Sequence, residues 1–215
     1  MRRTLGRASL LTALNLTAFA LIGTAVLAFT YSQTYAPIAR SVEDEKFRLI
    51  SQIVPHELFD NDIIKDTQDI APDPLLGNDG VTTAYRARLQ GKPSALVIEA
   101  VAPDGYSGKI FMLIAIRENG ELAGVRVVAH KETPGLGDYI EIGRSNWIKG
   151  FDGASLAKYN DAGWHVKKDG GQFDYMAGAT ITPRAVVKAV HKALQYFEQH
   201  RDALFARTEP TENPK

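Results

Sequence analysis

The sequence predicts an α+β protein with an N-terminal transmembrane helix and a single domain in which an antiparallel sheet is flanked by helices. An uncharged, mostly apolar run covers residues 8–29. Four segments with strand character follow between residues 82 and 129, and two of them are separated by Asn119-Gly120, a strong hairpin signal. A long amphipathic helical pattern then begins at Pro183. The 215 residues are enough for one such domain and its anchor.

Composition excludes several classes of protein. Lysine plus arginine number 25, as do aspartate plus glutamate, so the formal net charge is zero. A chain without a basic excess is not expected to bind nucleic acid. The absence of cysteine excludes disulfides, cysteine-ligated iron–sulfur clusters, thiol catalysis and flavin attachment through sulfur. The histidines show no metal-ligand spacing, so we expect no metal site. Redox chemistry would require an organic cofactor, and because that cofactor would do the chemistry, we expect no side-chain acid–base catalysis.

The run over residues 8–29 is long enough to cross a membrane. Its roughly 22 residues, each rising about 1.5 Å, span a hydrocarbon core of about 30 Å. A cleaved signal peptide is the alternative, but its apolar region is normally only about 7–15 residues long. We therefore expect an uncleaved transmembrane helix over residues 8–30.

Arginines precede this helix and predict its orientation. Arg2, Arg3 and Arg7 lie on the short tail formed by residues 1–7. Because positive charge is retained in the cytoplasm, this tail is expected there, with the C-terminal domain on the far side of the membrane. In a Gram-negative host, the helix would cross the inner membrane once and the domain would be periplasmic.

Residues 31–80 are predicted to connect the anchor to the domain. Pro37 is expected to break the first helix. Apolar residues recur at helical spacing over residues 42–53, which indicates a short amphipathic helix that Pro55 ends. Residues 66–80 are polar and rich in proline and aspartate, so they are predicted to form a loop.

The folded domain is predicted to cover residues 81–206. Its strands are expected at Thr82–Leu89, 94–101, 109–117 and Leu122–Ala129. Residues 110–116 are continuously apolar, which indicates a central strand covered on both faces. A short strand is also expected at residues 164–166.

A C-terminal helix is expected from Pro183 to about Phe205. The residues predicted for its buried face are Val186, Val187, Val190, Leu194 and Phe197. The polar tail formed by residues 207–215 is predicted to be disordered.

Residues 174–183, here called the motif segment, combine features that suit a bound phosphate. Small residues at 177–179 leave room near the backbone, and Thr180 adds a hydroxyl. Thr182 and Pro183 are predicted as the N-cap and first residue of the C-terminal helix. Free amides and the helix dipole favour a phosphate at such a position. An ordinary loop-to-helix junction is the alternative interpretation.

A second candidate segment covers residues 130–137. Pro134, Gly135 and Gly137 predict a tight loop whose backbone can approach a ligand closely. Lys131 is placed where it could face a phosphate or an electron-rich ring edge. A plain connection between a strand and the next helical stretch is the alternative.

These two segments resemble a known family. The motif segment is similar to the flavinylation motif of covalent FMN-binding domains, Asp-Gly-x-Ser/Thr-Gly-Ala-Thr, although Tyr175 replaces the usual Gly and Ala177 the usual Ser or Thr. With the N-terminal anchor, the chain resembles the G-subunit family of Rnf (Rsx) ion-translocating electron transport complexes. The C-subunit family of the sodium-translocating NADH:quinone reductase is related to it. The resemblance covers nearly the whole chain and is strongest over residues 109–194.

The resemblance implies a cofactor and its attachment. A flavin transferase would recognise Asp174 and join FMN, through its phosphate, to the hydroxyl of Thr180. The flavin would lie between the motif segment and residues 130–137. The implied contacts are Gly178, Ala179, Thr182, Lys131, Glu132, Thr133, Pro134, Gly135, Leu136 and Gly137.

The resemblance also implies partners and a role. The chain would be one component of an inner-membrane complex whose several membrane subunits couple electron flow between ferredoxin and NAD to cation movement. Two alternatives stay open from the residues alone: an anchored scaffold protein without a redox cofactor, and a domain that binds FMN reversibly.

Overall fold

The computed structural model describes residues 2–206, apart from the side chains of residues 2–5, 39–40 and 42–43. The predicted disordered tail, residues 207–215, lies outside the described residues. Contacts divide the chain into two units, Met1–Lys46 and Phe47–Lys215. The second unit therefore begins well before residue 81, where the sequence placed the start of the domain.

A single helix, α1, runs over Arg2–Ile53, and the first unit contains all of it except its last residues. Within it, Gly6–Ile38 is long and apolar enough to span a membrane. Its most apolar 18-residue window has a mean hydropathy of 2.0 and is not buried in the protein. Hydroxyls along this stretch bond back to the helix itself, as in the hydrogen bond from Thr34 to the Thr30 carbonyl at 2.9 Å. Such bonds satisfy polar groups where lipid offers no partner.

The expected break at Pro37 is wrong, because α1 continues through this residue. A proline removes one intrahelical hydrogen bond and can bend a helix without ending it, and membrane helices tolerate such positions. The predicted anchor and the predicted amphipathic helix are therefore parts of one helix.

The second unit begins with the last two turns of α1. Leu49, Ile50 and Ile53 are buried against one face of the sheet, together with Val54 and Ile63. The burial of Ile50 and Ile53 agrees with the predicted amphipathic pattern, whereas Phe47 is 46% exposed and the side chain of Val42 lies outside the described residues. The helix ends two residues before Pro55, as expected.

The sheet has five antiparallel strands in sequential order, and four of them were predicted. The strands are β1 Thr67–Ile70, β2 Thr82–Leu89, β3 Lys92–Gly105, β4 Gly108–Arg117 and β5 Leu122–Ala129. The loop predicted over residues 66–80 is wrong for its first part, which forms β1. This is an edge strand in which only Ile70 is buried, so it lacks the apolar alternation by which a strand is recognised.

Both faces of the sheet are covered, as the apolar run in β4 predicted. Met112 and Ile114 face the C-terminal helix, whereas Leu113 and Ala115 face the end of α1. Phe111 is the exception, since 45% of its surface remains exposed.

The C-terminal helix, α2, covers Ile181–Phe205 and thus begins two residues before the predicted start. All five residues predicted for its apolar face are buried. Buried arginines fix its far end: Arg86 donates to the Leu204 carbonyl at 2.9 Å and Arg88 to the Phe205 carbonyl at 3.2 Å. Cations at this end also oppose the negative pole of the helix dipole.

The chain between β5 and α2 is irregular. It contains short 3₁₀ turns at Asp138–Ile140, Trp147–Phe151, Asp161–Gly163 and Lys167–Asp169. The strand predicted at residues 164–166 is wrong. Only Val166 forms a single bridge, to Phe173, because the chain turns directly into the Lys167–Asp169 turn.

Candidate functional site

A cavity of about 320 Å³ lies at the N-terminal end of α2. Three segments meet there: the Tyr106–Ser107 turn between β3 and β4, the loop of residues 130–137 (the β5 loop), and the motif segment. The lining consists of Tyr106, Glu132, Thr133, Leu136, Gly137, Gly178, Ala179, Thr180, Ile181 and Thr182. Its volume falls within the range of small-molecule sites.

Glu132 joins the three segments. Its carboxylate is buried and accepts a hydrogen bond from the Ser107 amide at 2.9 Å and another from the Thr182 hydroxyl. One oxygen therefore holds the β3–β4 turn and the other holds the start of α2. Because the helix dipole is positive at this end, it stabilises the carboxylate charge.

A histidine orients the β5 loop around Glu132. The Glu132 amide donates to His130 Nδ1 at 2.9 Å, so this nitrogen is an acceptor and Nε2 carries the proton. Nε2 then lies 2.7 Å from a carboxylate oxygen of Glu141. The loop is thus tied to the segment that follows it.

Two glycines of the β5 loop have different roles. Gly135 has φ +76, which favours glycine, and open space where a side chain would project. Gly137 has an ordinary φ of −86, but an added Cβ would lie 2.9 Å from the Glu132 Cβ and 3.0 Å from the Thr182 hydroxyl oxygen. Gly135 is therefore required by the turn, and Gly137 by the close approach of loop and helix.

Thr182 does not cap α2, which corrects the sequence prediction. The N-cap is Thr180, whose side chain forms no capping hydrogen bond. Thr182 lies inside the first turn, and it is buried with its hydroxyl bonded to Glu132. The capping rule uses local sequence, whereas the partner of Thr182 lies 50 residues away.

Besides the Glu132 carboxylate bonded to Thr182, the start of α2 still has amides that can bind an anion. Its first turn contains no acidic residue, and within the part of the chain described here the amides of Ile181 and Thr182 have no backbone acceptor. Thr180 is half-buried at the same place, on the edge of the cavity. A phosphate on its hydroxyl would meet free amides and the positive end of a 25-residue helix.

Basic side chains that flank the motif segment are already paired. Lys167 lies 2.5 Å from the Asp174 carboxylate. Arg184 donates two hydrogen bonds of 2.6 Å to Asp169, and these lower the pKa of that carboxyl. Backbone amides, rather than these cations, are thus the groups that the start of α2 offers to an anion.

Most, but not all, of the predicted site residues come together. Of those named from the sequence, Glu132, Thr133, Leu136, Gly137, Gly178, Ala179, Thr180 and Thr182 line the cavity. Lys131, Pro134, Gly135 and Asp174 are exposed and lie outside its lining.

Two aromatic residues form hydrogen bonds with the backbone of the motif segment. The Met176 amide donates to the Tyr139 hydroxyl at 3.3 Å, and the Trp147 indole donates to the Asp174 carbonyl at 2.7 Å. Their rings meet edge to face at 5.5 Å. Burial raises the pKa of Tyr139 to about 12. The hydrogen bond from Trp147 therefore fixes the backbone of the motif segment.

Tyr106 and Ile181 line the cavity but were not predicted. Ile181 was missed because the start of the C-terminal helix was predicted two residues too late. Tyr106 had one signal in the sequence, an aromatic residue in a short Gly-x-x-Gly turn between two strands, where polar residues are usual.

Comparisons with known proteins identify two matching family models and a set of similar proteins. A family model described as the FMN-binding domain matches residues 105–195, and one described as the RnfG N-terminal region matches residues 1–53. Similar curated proteins are named as the G subunit of an ion-translocating oxidoreductase complex. One from Pseudomonas aeruginosa is 50% identical over 203 residues, which cover 94% of this chain and 95% of that protein. One from Vibrio cholerae is 43% identical, with 93% and 95% covered, and one from Shewanella baltica is 45% identical, with 87% and 89% covered.

Proposed function

The chain belongs to the G-subunit family of ion-translocating oxidoreductase complexes, and on that premise we propose that it carries electrons on FMN attached covalently to Thr180. Its FMN-binding domain and its place in an oxidoreductase complex are consistent with electron transport. The observation that carries the finer proposal is the cavity at the start of α2, where Thr180 meets the β5 loop.

The geometry favours Thr180 over Thr182 as the acceptor of the phosphate. Thr180 is half-buried at the cavity edge with no capping bond, so its hydroxyl is available. Thr182 is buried and its hydroxyl is committed to Glu132. A phosphoester on Thr180 would also place the negative charge beside the free amides of the first turn.

The residues of this chain would hold and orient the cofactor. FMN, when bound, supplies the redox chemistry. The motif segment would carry the phosphate, and the β5 loop and the β3–β4 turn would flank the ring. Glu132 is occupied by two donors, so we assign it a positioning role and no proton transfer.

Covalent attachment suits the proposed compartment. We place α1 across the inner membrane with the arginine-bearing N-terminus in the cytoplasm and the FMN domain in the periplasm. A flavin held there only by reversible contacts would be lost by dissociation, whereas a phosphoester makes its retention independent of affinity. The bond needs no cysteine, and the chain has none. A flavin transferase would form it.

The partners would be the other membrane subunits of an Rnf-type complex. Within it, this chain would pass electrons between other redox centres, and the complex would couple electron flow on the ferredoxin and NAD side to ion translocation. The names of the relatives support a complex of this kind, since they describe an ion-translocating oxidoreductase.

Denaturing electrophoresis under ultraviolet light tests the proposal. The full chain is produced with a flavin transferase, and we expect a fluorescent band at its own mass. Flavin released from a dark band would instead indicate reversible binding. No flavin in either fraction would indicate a scaffold protein.

A further inference from the structure

Tyr106 is an exposed aromatic residue on the wall of the cavity. It occupies the first position of the Tyr106–Ser107 turn, and 67% of its surface is exposed although it lines the cavity. Among the side chains that the structure describes, that of Tyr106 forms no hydrogen bond and no ring contact. A large aromatic surface is thus offered to whatever fills the site.

The backbone of this turn is fixed without help from the Tyr106 side chain. The Ser107 amide donates to Glu132, and Gly105 packs so closely that an added Cβ would lie 3.0 Å from the same carboxylate oxygen. The other oxygen of Glu132 holds Thr182, two residues from Thr180. Glu132 therefore sets the position of Tyr106 relative to Thr180. The tyrosine ring makes none of the contacts that fix the turn.

Other apolar side chains extend the same surface. Leu136 from the β5 loop and Ile181 from α2 also line the cavity, with 47% and 46% of their surfaces exposed. Together with Tyr106 they form an open apolar wall beside a helix start that favours a phosphate. A ligand that combines a phosphate with a planar aromatic ring matches both parts of the site.

We infer that the Tyr106 ring packs against the isoalloxazine ring of the flavin and is a cofactor-contacting residue of this site. The inference rests on the proposed attachment of FMN to Thr180. A phenol in contact with an isoalloxazine quenches its fluorescence, so the contact has a direct optical readout that does not depend on electron-transfer activity.

The test compares the full chain with Tyr106→Leu and Tyr106→Phe, each produced with a flavin transferase. Covalent flavin is quantified from the fluorescent band on a denaturing gel. Flavin fluorescence of the native protein is then divided by that of the same sample after unfolding. We expect Tyr106→Leu to keep the band and to raise this ratio several-fold, because the ring is gone. Tyr106→Phe, which keeps a ring but not the phenol, should also raise the ratio.

Tyr35→Leu is the matched control. Tyr35 is also an exposed tyrosine, and it lies on α1 outside the cavity lining and outside the motif segment, so its removal should leave the ratio unchanged. A fluorescent band with an unchanged ratio in both Tyr106 variants would overturn the role of Tyr106 and leave the proposed function standing. The absence of a band from the wild-type chain would overturn the proposed function and this inference together.

Discussion

The Thr182 hydroxyl donates a hydrogen bond to the carboxylate of Glu132, and this pair joins the start of α2 to the β5 loop. Both residues are buried, and the second carboxylate oxygen of Glu132 holds the β3–β4 turn. The pair thus determines how the three walls of the cavity meet, although neither residue is expected to take part in chemistry.

Replacing Thr182 with valine should weaken the fold without removing the flavin. The change keeps the shape of the side chain but leaves a buried carboxylate oxygen without its donor, which costs about 1–3 kcal/mol. Urea unfolding of the detergent-purified chain, followed by tryptophan fluorescence, measures the loss. Thr182→Ser retains the hydroxyl and is the control. Equal stability of Thr182→Val and wild type would show that the hydrogen bond to Glu132 contributes nothing.

The two glycines of the β5 loop should respond differently to alanine. Gly135→Ala places a side chain in a left-handed conformation but in open space, so we expect a stability loss of about 1–2 kcal/mol and an unchanged flavin spectrum. Gly137→Ala forces the loop away from Glu132 and Thr182, so the visible absorption of the flavin should shift. Unfolding curves and spectra are recorded for both variants. A shifted spectrum in Gly135→Ala alone would contradict these assignments.

Tyr139 should make the domain less stable at high pH. Burial raises its pKa from 10.0 to about 12, so the folded state resists ionisation. The stabilisation that Tyr139 contributes is complete below pH 10, the pKa of tyrosine in the unfolded chain, and is lost as the pH rises toward 12. The free energy of unfolding then falls by up to about 3 kcal/mol. Unfolding is measured between these pH values on flavin-free wild type and Tyr139→Phe. The difference in stability between the two should narrow or reverse with pH, and a constant difference would refute the titration of Tyr139.

The orientation of α1 is tested with reporters. The arginines at its start predict that the C-terminus lies outside the cytoplasm. A reporter that is active only in the periplasm, fused after Lys215, should therefore be active. Activity from a cytoplasmic reporter alone would reverse the topology and remove the argument that covalent attachment suits the compartment.

Features of the fold that depend on neighbouring residues were predicted, whereas features that depend on the surrounding structure were missed. β2 and β5 were predicted to the residue because the turn residues that flank them are local signals. β1 was missed since an edge strand with one buried residue carries no such pattern. Pro37 was misread because a local rule for breaking helices does not account for the long apolar helix around it.

For the site too, local motifs were predicted and long-range contacts were not. The resemblance of the motif segment and the β5 loop identified two walls of the cavity, which the structure brings together. The third wall at Tyr106 and the hydrogen bond from Thr182 to Glu132 depend on contacts between residues at least 25 positions apart. Spacing within the sequence does not contain that information.

The attachment of FMN to Thr180 is tested most directly by mass spectrometry of the tryptic peptide that covers residues 169–184. This peptide contains both Thr180 and Thr182. In the wild-type chain produced with a flavin transferase, we predict an FMN phosphoester on Thr180. Thr180→Val, which is nearly isosteric, should fold and carry no adduct. An adduct on Thr182, or one that survives in Thr180→Val, would contradict the assignment.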